Sequence, residues 1–114
     1  MTTKTEKLAK IFKVLGDPNR LNIVLSIGRT SRSVTEIINA TELSQTLVSF
    51  HLKALRTAAV VRTERNGPFI YYSLTESSLM DILDDLARTA ASIELLGSKV
   101  QVTAVGRGSD KRRR

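Results

Sequence analysis

The chain has no cysteine, no tryptophan, a single histidine and two prolines among its 114 residues, and aromatic side chains make up 4% of it. Without cysteine, disulfides, thiol nucleophiles and thiolate-held zinc or arsenic are excluded. One histidine, His51, makes a His-rich metal site or a Ser/His/Asp triad hard to build within one chain. No apolar run exceeds four residues, so no segment reads as a membrane span or a signal-peptide core. A glycine-rich phosphate loop and a nucleophile elbow are also missing, which leaves no catalytic constellation, no expected cofactor and no expected metal site. What remains, at 41% hydrophobic and 25% charged residues, is the composition of a small globular domain, expected to be cytoplasmic and not an enzyme.

Basic residues outnumber acidic ones by 18 to 11, a formal net charge of +7, and the excess is unevenly placed. The stretch from Gly106 to Arg114 sums to +4, and residues 1–34 to +5. Between Thr75 and Leu96 the sign reverses to −4, with Glu76, Asp81, Asp84, Asp85 and Glu94 against Arg88. A basic domain with one acidic helix suits a protein that docks on a polyanion with one face and uses another face differently. Asp81, Asp84 and Asp85 read as a solvated face helped by an Asp84–Arg88 pair, rather than as a cation site.

Spacing and caps define the elements. Leu8, Ile11, Phe12 and Leu15 form a helical stripe, and Thr3 with Glu6 fits a capping box that opens a helix over 3–15. Gly16 ends it, Asp17 caps the next, and Pro18 sits where its missing N–H costs nothing. That second helix, 18–28, is expected to bury Leu21, Val24 and Leu25. Ser33 and Glu36 open a short helix over 34–40 with Val34, Ile37 and Ile38 inward. After the turn Thr41-Glu42-Leu43, Ser44 caps a helix over 45–58 with Val48, Leu52, Leu55 and Ala59 as its apolar stripe. Val60–Arg65 and Phe69–Leu74 read as a hairpin, with Pro68 favouring a loop longer than two residues. From Glu76 to Gly97, Leu79, Ile82, Leu83, Leu86, Ala90 and Ile93 make one long stripe. Residues 98–105 are too short a stretch to classify, and disorder is expected from about 106. The predicted domain division is 1–97 for one folded domain and 98–114 for a basic tail, which adds contacts to a polyanion or only solubility.

Two short helices separated by about three residues, the second with a polar, basic outer face, have helix-turn-helix geometry. The major groove admits one such helix, with its first turns at the base edges. Ser44, Gln45, Thr46, Ser49, Phe50, Lys53 and Arg56 are the candidate contacts on it. Gln45 suits an adenine edge, and Lys53 and Arg56 suit guanine or the backbone. Arg62, Arg65 and Asn66 on the hairpin are candidate wing contacts, with both arginines expected beside the tip. His51, three residues after Val48, reads as a structural histidine bonded to backbone rather than a phosphate or metal ligand. The competing reading is a module that binds protein partners with residual DNA affinity, and the exposed ring of Phe50 is the one feature that leans that way.

Leu15-Gly16-Asp17-Pro18-Asn19-Arg20-Leu21, Leu43-Ser44-Gln45-Thr46-Leu47-Val48-Ser49-Phe50-His51-Leu52-Lys53-Ala54-Leu55 and Tyr71-Tyr72-Ser73-Leu74 resemble the ArsR/SmtB-type winged helix-turn-helix repressors over residues 8 to about 90. The resemblance implies a mainly α fold with a β-hairpin wing in the order α-α-α-α-β-β-α. It also implies a homodimer that binds double-stranded DNA until an effector, typically a metal ion, releases it. Leu8, Ile11 and Phe12 on the first helix, with the stripe Leu79 to Ile93 on the last, are the candidate dimer interface. The chain departs from the metal-sensing members: Ser33, Val34 and Thr35 stand where cysteines often do, and the last helix has no histidine. Phe50 stands where many members carry histidine. The effector, a small molecule or an anion if there is one, is unknown.

Overall fold

Thr3 accepts a hydrogen bond from the Glu6 amide at 3.1 Å while its own amide donates to the Glu6 carboxylate at 2.9 Å, and this reciprocal cap opens α1 (Lys4–Leu15). The computed structural model describes residues 3–107, with side-chain surroundings for 3–97. It divides into two units, Met1–Met80 and Asp81–Arg114. The end of α1 is closed by Arg20, whose guanidinium donates to the carbonyls of Val14 and Lys13. Asp17 caps α2 (Pro18–Ile27) by accepting from the amides of Asn19 and Arg20 at 2.8 and 3.2 Å. Ser33 and Glu36 repeat the reciprocal cap at the start of α3 (Val34–Thr41), and Ser44 caps α4 (Gln45–Thr57) through the Leu47 amide.

The core of the first unit joins these helices to the hairpin. Ile23, Val24, Ile27, Ile37, Val48, Leu52, Leu55 and Val61 are all essentially inaccessible, each contributing on the order of 1.5–3 kcal/mol by leaving water. The inner face of α2 is therefore Ile23, Val24 and Ile27, and Leu25, expected inside, is exposed. Both sets are helical stripes sharing Val24, and only packing against the rest of the core selects between them. Ala59 also leaves the α4 stripe: it follows the helix end, exposed, with φ +61°.

The sheet has three strands rather than two. A two-residue strand, β1 (Arg32–Ser33), pairs with the middle strand β3 (Phe69–Leu74), and β2 (Val61–Asn66) pairs with its other edge, all antiparallel. Two residues carry no period, so this strand is invisible to pattern reading. The hairpin loop is two residues long, because Asn66 pairs with Phe69. Gly67 takes φ +65° at the first loop position, and proline's fixed negative φ suits the second, the pattern of a type II′ turn. The missing amide of Pro68 lies outside the ladder, which is why a longer loop was not needed.

The last helix, α5, runs Ser78–Arg107. It continues through Gly97, expected as its end, since one glycine within a helix costs only about 1 kcal/mol. Residues 108–114, most of the segment expected to be disordered, lie outside the described residues. Met80 is buried in the first unit. In the second, Ile82, Leu86, Ile93, Leu95 and Leu96 are exposed. Arg88 bonds Asp85, one turn back. Among the described residues no helix is long and apolar enough to cross a membrane.

Candidate nucleic-acid interface

The turn between α3 and α4 is made by Glu42, Leu43 and Ser44. Glu42 holds a left-handed conformation, φ +62°, with its amide on the Ile38 carbonyl at 2.8 Å. Thr41 ties the same corner, donating to the Ile37 carbonyl and accepting from the Leu43 amide. The chain thus leaves α3 and starts α4 within one reversal, as helix-turn-helix geometry requires.

α4 is divided lengthwise. Val48, His51, Leu52 and Leu55, at i, i+3, i+4 and i+7, are buried. Thr46, Phe50, Lys53 and Thr57 follow the same kind of spacing on the opposite side and are exposed, flanked by Ser44, Gln45, Ser49 and Arg56, exposed as well. The exposed side carries two cations, hydroxyls, an amide, one aromatic ring and, beside it, Leu47, and no acid. Thr57, not singled out in the sequence, belongs to this face by the spacing that runs on from Thr46 and Phe50. The Ser44 hydroxyl accepts from the Leu47 amide in the cap at 3.1 Å, which leaves its proton and one lone pair for a ligand contact.

His51 is buried, as expected of a structural histidine, but its neighbour is a side chain and not backbone. Its Nε2 lies 4.0 Å from the Asp17 carboxylate, at ion-pair range, and its Nδ1 is buried without a hydrogen-bond partner. Two amide bonds, that from Arg20 foremost, hold the Asp17 carboxyl below the usual carboxylate range, and His51 and Arg20 pull the same way against partial burial. The start of α2 and the buried side of α4 are thereby joined electrostatically. The Phe50 ring meets the His51 ring edge-on, centroids 5.1 Å apart at 77°.

On the wing, Arg65 and Asn66 sit at the hairpin end, beside a cleft of about 540 Å³ lined also by Ser31, Glu64 and Tyr71. Arg62 does not sit there. It pairs with Ser73 near the base of the hairpin, with its Nε on the Ser73 hydroxyl at 3.3 Å. That is about 13 Å from Asn66 at 3.3 Å per residue. An odd offset also places Arg62 and Arg65 on opposite faces of the strand. Sequence proximity suggested one arginine pair at the tip; the pleat separates them.

The exposed residues Leu8, Ile11 and Phe12 lie on α1, and Ile82, Leu86, Ala90 and Ile93 on α5 are exposed too, while Leu79 and Leu83 are half-buried. Among the described residues no group of three or more His, Asp or Glu side chains could hold a metal ion.

Residues 17–63, from the cap of α2 into β2, match the family described as bacterial regulatory protein, arsR family. A transcriptional repressor SmtB homolog of Synechocystis is 30% identical over 84 residues, covering 74% of this chain and 64% of that one. An HTH-type transcriptional regulator of Methanocaldococcus jannaschii, MJ1325, is 33% identical over 81 residues, 70% of this chain and 91% of that one. The chain spans 56–64% of the length of the SmtB-type repressors it matches. The homodimeric winged helix-turn-helix DNA-binding domain Mb0332 of Mycobacterium bovis superposes with a TM-score of 0.65 at 27% identity, over 80% of this chain and 83% of that one.

Proposed function

Because the chain belongs to the arsR family of bacterial regulatory proteins, we propose that it is a dimeric repressor of transcription, acting in the cytoplasm on an inverted-repeat operator. Each copy sets α4 in a major groove, with Gln45, Thr46, Ser49 and Phe50 at base edges and Lys53 and Arg56 toward the backbone. Arg65 and Asn66 reach flanking DNA from the wing tip, and Arg62 faces phosphate from the hairpin base. The exposed apolar faces of α1 and α5 pair with those of a second copy, which sets the two reading helices about 34 Å apart, one turn of the duplex.

The observation that carries this reading is the division of α4: an apolar side fully buried beneath a face that is exposed, cationic and free of acids. A helix held so firmly from below, with its hydrogen-bonding side turned out, is built to present that side to a polyanion. The homodimeric DNA-binding Mb0332 domain supports both the partner and the pairing.

The lack of cysteine makes a direct test simple. A Thr57→Cys variant, at the end of the exposed face of α4 and outside the proposed base contacts, carries one thiol, which can be loaded with an iron chelate that cleaves DNA nearby. Bound to a fragment selected from the source genome, it is expected to cut at two clusters about one helical turn apart, each facing a major groove. Cleavage scattered along the duplex, or none, would remove α4 from the groove.

A further inference from the structure

On the DNA-reading role proposed for α4, and resting on it, we infer that Phe50 is a specificity-determining residue that reads the C5-methyl group of a pyrimidine in the major groove. Thymine and 5-methylcytosine both present that group.

Phe50 is 64% exposed, although a phenylalanine that leaves water gains roughly 1.5–3 kcal/mol. It is not at the margin of α4. It lies on the outward stripe, one turn from Thr46 and one from Lys53, opposite the buried run Val48, His51, Leu52 and Leu55. Any groove that receives this helix receives the ring near the middle of its contact face.

The ring is also positioned from behind. Its edge contact with His51 at 5.1 Å is made to a side chain that is 5% exposed and sits beside the helix-capping carboxylate of Asp17. The ring thus has a fixed neighbour beneath it and an open face above.

What such a face can read follows from the groove. Phenyl carbon neither donates nor accepts a conventional hydrogen bond, so the donors and acceptors of the four base pairs are closed to it. The one apolar group on the major-groove edge is the pyrimidine C5-methyl. The surroundings fit a base edge better than a protein partner: Thr46, Ser49, Lys53 and Thr57 are polar and Leu47, 40% exposed, is the one other large apolar side chain exposed on α4, whereas a protein hot spot gathers several apolar anchors into one patch.

The test begins from duplexes selected out of a random pool by the wild-type chain. Each thymine of a half-site is replaced in turn by deoxyuridine, which removes only the methyl group, and each cytosine by 5-methylcytosine, which adds it. Affinities are measured for the wild type, Phe50→Ala and Phe50→Leu. One position per half-site is expected at which the wild type loses about fourfold on deoxyuridine or gains about fourfold on 5-methylcytosine, the worth of one buried methyl. The first response identifies the base read as thymine and the second as methylcytosine. Phe50→Ala is expected to be indifferent at that position, and Phe50→Leu to keep part of the response. Equal responses of wild type and Phe50→Ala at every position, or no response at any, would overturn the inference while leaving DNA binding intact. If the wild type enriches no duplex at all, the reading beneath the inference fails with it.

Discussion

At Ala59 the backbone takes φ +61°, a conformation in which Cβ crowds the carbonyl oxygen and which usually falls to glycine. The hydrogen bonds explain why it is held there. The Ala59 amide donates to the Arg56 carbonyl and the Val60 amide to the Leu55 carbonyl, both at 2.9 Å, which is the Schellman closure of α4. Buried Leu55 and Val60 supply the apolar contact that accompanies it. Replacing Ala59→Gly is expected to raise stability by roughly 0.5–1 kcal/mol, the relief of left-handed strain less the added freedom of the unfolded chain. It would be read as a higher urea midpoint with unchanged slope; a lower midpoint would mean the strain is not there. Asp17 gives a second prediction at this scale. Its pKa is depressed in the folded chain, so its contribution is complete above the unfolded value near 3.8 and is lost as pH falls through the folded value. Asp17→Asn keeps a capping oxygen but cannot titrate, and its stability is expected to decline less steeply than the wild type's below about pH 4. Parallel curves would remove Asp17 from acid unfolding.

Among the elements, the proposed reading gives α4 and the wing different work. Hydrogen bonds from Gln45 and Ser49 to base edges would distinguish sequences, so Gln45→Ala and Ser49→Ala are each expected to lose about 1–3 kcal/mol of discrimination between operator and random DNA. Unchanged ratios in competition binding would mean that another face of the helix does the reading. On the proposed reading Arg65, at the hairpin end, would serve the backbone or the minor groove; Arg65→Ala is expected to weaken operator and random duplexes alike and to flatten the salt dependence by about one phosphate contact. Arg62 is spoken for by Ser73, so Arg62→Ala should change both slope and affinity less. Equal effects from the two arginines would contradict the placement that the strand pleat gives them.

For the whole molecule the open quantity is the number of chains. Leu8 and Phe12 on α1, and Ile82, Ile93, Leu95 and Leu96 on α5, are too many large apolar side chains to leave in water across a small chain. A homodimer would cover them and supply the second reading helix. Sedimentation at micromolar concentration is expected to give twice the 12.6 kDa chain mass, and Phe12→Asp together with Ile93→Asp is expected to return it to the monomer and weaken operator binding. A wild-type chain that sediments as a monomer would leave each reading head to bind alone.

Much of this protein is written locally. Both capping boxes, the Asp17-Pro18 start of α2, the turn before Ser44 and the polar face of α4 depend on residues within four positions of one another, and short-range contacts of that kind survive in a one-dimensional pattern. The candidate DNA contacts on α4 were legible for the same reason. Other features depend on partners distant in the chain. Tyr72 and Tyr71 make Arg32 and Ser33 a strand. Asp17, far from His51 in sequence, becomes its charged neighbour. Packing chooses Ile23 and Ile27 over Leu25 for the core, and the pleat separates two arginines that sequence placed together. The residues alone determined which helices form and which side of α4 is polar and cationic, because caps and periodicity act over single turns. Tertiary structure alone decided which apolar stripe is inside and which polar groups meet, because long-range contacts leave no local period.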